Sequence, residues 1–171
     1  FSSVLVFQVP IMTSAGIAAT TAATLAGVRG GCQVFGRLGL IATVASRGAR
    51  RSLQVAYSVA GAGVLLLLIG NVGAAVGYAI VVGVALGTAS PLQAIHAQEI
   101  FDPDDLGLLM GLQQSVFSIA GGLGPIFIGQ LFEASGNYKA SIWVISGAMV
   151  VSVLLLSQSR PARHPNVQVA E

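Results

Sequence analysis

Three polar side chains, Arg29, Gln33 and Arg37, follow one another at intervals of four in an otherwise apolar stretch. In an α-helix this spacing places them along one face, each rotated by about 40° from the one before. A guanidinium group can donate two parallel hydrogen bonds to a carboxylate or a similar anion. The stripe indicates either a solute contact, at Arg29 above all, or a structural hydrogen-bond anchor.

A second polar group lies later in the chain and consists of Gln113, Gln114 and Ser118. These side chains could line a path for a solute, or they could hold helices together through hydrogen bonds. His96 lies between Gln93 and Glu99, and its imidazole titrates near neutrality. It is a candidate proton relay, and the alternative is an interface residue in a loop.

Motifs of soluble enzymes are absent from the sequence. It contains no C-x-x-C, no H-E-x-x-H and no phosphate-binding G-x-x-x-x-G-K-[ST] motif. No nucleophile elbow supports hydrolysis. We therefore predict a protein that is not an enzyme and that uses no metal and no cofactor.

The elements that must position these residues are helices in a membrane. Hydrophobic residues make up 54% of the chain and charged residues 8%, against about 25% charged in a typical soluble domain. Residues 52–98 include no Asp, Glu, Lys or Arg. Such long apolar runs differ from the alternating strands of a membrane barrel. The sequence predicts an all-α, polytopic membrane helix bundle.

With 171 residues the chain has room for five or six spans of about 20 residues. Two breaks are predicted from local signals: Ser90-Pro91 interrupts the fourth span, and Asp102 caps a helix that begins at Pro103. Glu99 is expected in the loop before that cap. The predicted spans cover about 1–11 (the end of a helix), 17–44, 53–69, 72–95, 106–132 and 140–156, followed by a polar tail over 157–171.

Orientation follows from the basic residues of short loops, which favour the cytoplasmic side. Counted alternately, one side of the bundle holds five arginines and the other holds only Lys139. The basic side, including the C-terminal tail, is predicted to be cytoplasmic. The net charge of +2 thus concerns orientation, and we expect no nucleic-acid partner. The five arginines are Arg47, Arg50, Arg51, Arg160 and Arg163.

Small residues spaced four apart predict close approach of neighbouring helices. We consider three glycine pairs with this spacing in the predicted fourth and fifth spans. We interpret them as packing sites. The pairs are Gly73/Gly77, Gly83/Gly87 and Gly107/Gly111.

Several of these pieces together resemble the major facilitator superfamily. Gly36-Arg37, followed by Ser46-Arg47-Gly48-Ala49-Arg50-Arg51, is similar to that family's cytoplasmic loop motif, although Ala45-Ser46 stands where the family usually has an Asp. The stretches 118–125 and 129–132 resemble its eleventh helix, and Ser135-Gly136-Asn137-Tyr138 resembles the turn into its twelfth. The resemblance covers nearly the whole chain as a C-terminal six-helix half, from the end of helix 7 to helix 12.

The resemblance implies secondary active transport of a small solute by alternating access, with H+ or another ion as the candidate coupling ion. It implies a fragment that needs an N-terminal six-helix half and a position in the plasma or inner membrane. The alternative is a membrane-embedded structural or partner subunit that transports nothing itself. Because the loop lacks its usual Asp, we expect a charge latch between the loop arginines and the acids Glu99, Asp102, Asp104 and Asp105.

Overall fold

The computed structural model describes residues 2–39, 48–102 and 104–158, with side chains from residue 5 onward. These residues form six α-helices, and the described ranges contain no strand. A 3₁₀ turn, Leu66–Ile69, extends the third helix. The helices are α1 (Ser2–Ser14), α2 (Ala19–Leu38), α3 (Ala49–Leu65), α4 (Val72–Ile100), α5 (Leu106–Ser135) and α6 (Lys139–Gln158).

Four of the described helices are long and apolar enough to cross a membrane. They are α3 with its 3₁₀ extension, α4, α5 and α6. α1 has only 13 residues. α2 has 20 residues, but threonines, glycines and two arginines make it less apolar than the others. The all-α membrane fold is thus confirmed, while spans in α1 and α2 stay predictions.

Helix α4 is the centre of the arrangement. α2 packs along one side of it, α3 packs along another, and α6 packs on α3. The main core lies between these helices and includes Met12, Ala60, Tyr78 and Val82, none of them more than 1% exposed. A smaller core at the other end of α4 joins Leu53 to Leu92.

Turn residues define where the central helices meet. Gly70 ends the 3₁₀ turn at a φ of 71°, which is favourable only for glycine. Asn71 then caps α4, since its Oδ1 accepts a hydrogen bond of 2.8 Å from the Ala74 amide. Gly136 ends α5 in the same left-handed conformation. α3 and α4 are therefore joined by a turn of minimal length.

Two predictions made from local signals are wrong, namely the break at Ser90-Pro91 and the helix cap at Asp102. α4 continues through Ser90-Pro91 to Ile100, so that Glu99 lies in a helix and not in a loop. Proline is tolerated within membrane helices because neighbouring groups satisfy the freed backbone. The next helix begins at Leu106 with Asp105 as its N-cap, without a side-chain capping bond. Asp102 instead accepts a 3.2 Å bond from the Asp104 amide in a turn.

The contact between α2 and α4 is made by backbone against backbone. A Cβ atom added to Gly87 would lie 2.1 Å from the Gln33 carbonyl oxygen, and one added to Gly83 would lie 2.6 Å from that of Arg29. Gly36, on α2, meets the Val84 carbonyl oxygen in the same way, at 2.2 Å. The packing role predicted for Gly83/Gly87 is confirmed. The close contact with Val84 also explains why position 36 is a glycine.

Helix α5 lies at the periphery of the bundle. Its one buried residue in the described structure is Ile128, and all residues from 111 to 120 are exposed. Near its end the ring of Phe132 stacks on Tyr138, with 4.2 Å between centroids. Gly107 and Gly111 face open space, so the packing predicted for this pair does not occur within the described chain.

Candidate functional site

The Arg29 side chain lies inside the bundle, where α1, α2 and α4 meet. Arg29 is 8% exposed, and its Nε donates a hydrogen bond of 2.8 Å to Oε1 of Gln8, on α1. The hydroxyl of Tyr78, on α4, donates to the same oxygen at 3.4 Å. One amide oxygen therefore joins three helices at a buried cation.

The electrostatics of this cluster are unbalanced. The described residues place no carboxylate within ion-pair distance of Arg29. Nη1 of Arg29 is buried and has no hydrogen-bond partner among them. A buried donor without an acceptor costs about 1–3 kcal/mol, and more when it is charged. This arrangement can accept a group that supplies an acceptor and a negative charge.

The close contact between α2 and α4 positions Arg29. A Cβ atom added to Gly83 would lie 2.6 Å from the carbonyl oxygen of Arg29 and 2.7 Å from the Cβ of Cys32. By contrast, Gly27, Gly30 and Gly31 face open space. The glycines of α4 therefore determine how closely Arg29 approaches Tyr78.

The rest of the predicted stripe separates along α2. Gln33 is half-buried, and its backbone packs against Gly87. Arg37 is exposed at the end of the helix. The structure therefore places Arg29 in the interior and Arg37 at the surface, with Gln33 between them.

The second predicted patch lies apart from Arg29. Gln113, Gln114 and Ser118 are all exposed on α5. Gln113 borders a cavity of about 290 Å³ that also involves His96 and Ser152. A neighbouring cavity of about 380 Å³ lies between α5 and the helices α3, α4 and α6. α5 thus covers a cleft without closing it.

A polar column follows α4 along this cleft. Gln93 donates a hydrogen bond to the hydroxyl of Tyr57, and both residues border the two cavities. His96 is buried in the helix, not in a loop, and its Nδ1 lies 3.5 Å from Oε2 of Glu99. His96 Nε2 is buried without a hydrogen-bond partner among the described residues. These groups line the bundle on the side of the predicted basic loop.

The described residues of the loop motif at the start of α3 lie at the same end of the bundle as the acids before α5. Arg47 lies outside the described residues; Gly48 precedes α3 with a φ of 77°. Nη2 of Arg50 donates a 3.1 Å hydrogen bond to the Ser157 carbonyl at the end of α6, and Arg51 is exposed. Asp102, Asp104 and Asp105 are exposed as well. The predicted charge latch stays a prediction.

Sequence reasoning missed the partners of Arg29. Gln8 is the polar residue in an apolar segment from Val4 to Met12, which was a usable signal. Tyr78 carried no such signal, because an aromatic residue in a membrane helix is ordinary. Only the fold brings the two together with Arg29.

Comparison with known proteins agrees with this architecture. The family model described as Major Facilitator Superfamily matches residues 1–171. The cyanate transport protein CynX of Escherichia coli (strain K12) is 33% identical over 96 residues, which are 55% of this chain and 25% of that protein. The matched part thus spans about a quarter of the relative's length. No solved structure matches the chain significantly. With its apolar helices and a family match over its whole length, the chain belongs to the major facilitator superfamily, a family of membrane transporters.

Proposed function

We propose that this chain is the C-terminal six-helix half of a secondary transporter, which moves a small solute by alternating access together with an N-terminal six-helix half. In such transporters two halves rock about a site near the middle of the membrane. Family membership and the apolar helices support this proposal. The exposed face of α5, with Gln113, Gln114 and Ser118, would then face the other half and the solute path.

The observation that carries the proposal is the buried, unbalanced cation at Arg29. A charge within a membrane helix costs at least about 2.5–3.5 kcal/mol on insertion scales, and such charges commonly mark a transport path. The buried Nη1 group has no hydrogen-bond partner among the described residues, and it would donate to a solute when alternating access opens the bundle there. CynX is described as a cyanate transport protein. Cyanate, a small anion, is therefore the first solute to test.

The test uses the complete protein, expressed from the reading frame that contains this chain and reconstituted in liposomes. Uptake of radiolabelled cyanate is measured for the parent, Arg29→Lys and Arg29→Ala, with and without an imposed pH gradient that tests H+ as the coupling ion. Lys139→Ala, which removes an exposed charge, is the control. We expect Arg29→Lys to impair transport because it keeps the charge but loses the planar fork, and Arg29→Ala to impair it more.

Each other outcome rejects a defined part of the proposal. If both variants reach the membrane at normal levels and transport like the parent, Arg29 is not a solute contact. If both disappear from the membrane, Arg29 is a structural anchor. If the parent takes up no solute from a broad panel of small anions and neutral molecules, the alternative of a structural subunit is favoured.

We further propose that the loop arginines and the acids before α5 form a gate on the cytoplasmic side. Arg50 and the exposed Asp104 lie at the same end of the bundle, and each exposed pair contributes only about 0–1 kcal/mol. Such a gate would bias conformations without holding the fold together. A double-mutant cycle of Arg50→Gln and Asp104→Asn tests it by conformation-sensitive labelling. Fully additive effects would exclude the pairing.

A further inference from the structure

A neutral amide, that of Gln8, is an unusual partner for a buried arginine. Intramembrane arginines are commonly paired with acidic residues, which neutralise them. Here the acceptor is a neutral amide, and its one oxygen binds both Nε of Arg29 and the hydroxyl of Tyr78. The amide fixes the guanidinium in place but leaves its positive charge uncompensated among the described residues.

Tyr78 in turn fixes the amide. Tyr78 is fully buried, and its hydroxyl donates to Gln8 from α4, while Arg29 donates from α2. Because the Gln8 oxygen accepts hydrogen bonds from both donors, the rotation of the Gln8 side chain is restricted. The guanidinium is held by Nε, so its Nη1 edge remains for another group.

We propose that Gln8 and Tyr78 are positioning residues that present Arg29 as an uncompensated cation, and that this site selects a small inorganic anion with a single negative charge. The proposal rests on the proposed function and specifies its substrate class. One guanidinium balances one charge, whereas a dianion would leave a net charge in an apolar environment at a high cost. Because Arg29 is nine-tenths buried, the anion must be small.

The decisive variant is Gln8→Glu in the complete protein. A carboxylate at this position would lie 2.8 Å from Nε and neutralise the guanidinium, so that an added anion would be repelled. Gln98→Glu is the matched control. Gln98 is exposed near the end of α4, far along that helix from the contact of Gly83 with Arg29. It introduces the same new carboxylate away from Arg29.

Two readouts separate binding from transport. The first is the melting temperature of the purified protein in sodium cyanate, nitrite, bicarbonate or sulfate, at matched ionic strength against chloride, because a ligand stabilises the state that binds it. The second is the KM and the maximal rate of cyanate uptake in liposomes. We expect at least one monovalent anion, and not sulfate, to raise the melting temperature of the parent and of Gln98→Glu.

In Gln8→Glu we expect this increase to disappear and the KM to rise at least about tenfold, which corresponds to about 1.4 kcal/mol. Tyr78→Phe should raise the KM by a smaller factor and leave the maximal rate nearly unchanged, and it serves where Gln8→Glu does not reach the membrane. A purely structural hydrogen bond would instead lower expression and leave the KM unchanged.

The results distinguish failure of this inference from failure of the proposed function. Anion-dependent stabilisation that Gln8→Glu abolishes, without any uptake by the parent, supports the anion site and rejects transport. Uptake that Gln8→Glu leaves unchanged supports transport and overturns the role of Gln8. If none of the three monovalent anions stabilises the parent, the anion site itself is wrong.

Discussion

The close approach of α2 to α4 should depend on Gly87. A Cβ atom at this position would lie 2.1 Å from the Gln33 carbonyl oxygen and 2.7 Å from its Cα, whereas ordinary contacts begin at 3.4 Å. These neighbours are backbone atoms, which cannot rotate away as a side chain can. In Gly87→Ala the two helices must therefore move apart by more than about an ångström at this point.

The expected cost follows from two opposing effects. Overpacking a close contact costs about 1–3 kcal/mol. Replacing a helical glycine with alanine recovers roughly 0.5–1 kcal/mol of backbone entropy. We therefore expect Gly87→Ala to destabilise the protein by about 0–2.5 kcal/mol net. In Gly30→Ala only the favourable effect operates, since nothing lies within 4 Å of the added Cβ.

The assay is thermal unfolding of the purified complete protein in detergent, with the parent, Gly87→Ala and Gly30→Ala compared side by side. We expect Gly87→Ala to melt below the parent and Gly30→Ala to melt at or above it. The two variants differ by the overpacking cost of about 1–3 kcal/mol, which corresponds to a gap of roughly 2–12 °C for a chain of about 150–250 residues and to a smaller gap in a larger protein. Equal melting temperatures would mean that α2 and α4 do not pack through their backbones at Gly87.

Two further predictions concern helix capping and topology. Asn71→Ala should destabilise the protein by about 1 kcal/mol and lower its melting temperature, because it removes the hydrogen bond from the Ala74 amide. Asp105→Ala should change the melting temperature little, because Asp105 caps α5 without a side-chain hydrogen bond. In a cysteine-free background, Gln158→Cys should be protected from an impermeant thiol reagent in intact cells, and Asn137→Cys should react with it. The reverse pattern would mean that the orientation is opposite to the predicted one.

The sequence was sufficient to predict the fold class because composition and run length alone determine it. A chain with 8% charged residues cannot cover a soluble surface, and the long apolar runs match helices. Helix boundaries were predicted less well at Pro91 and at Asp102. Local rules treat proline as a helix breaker and aspartate as a helix cap. Within the packed bundle, however, α4 continues through Pro91 to Ile100. Tertiary packing overrides the local signal at that position.

The candidate site shows the same division between local and long-range information. Arg29 could be singled out from the sequence because a charge in an apolar stretch is conspicuous. Its partners come from positions 21 residues before it and 49 residues after it, and no spacing rule connects them. The amide of Gln8 indicates a role at Arg29 only once its distance to Nε is known. The same residue facing lipid would be only a slightly unfavourable polar group. What makes Arg29 a candidate for binding an anion is therefore the neutrality of its partner, a property of the pair that the arginine alone does not reveal.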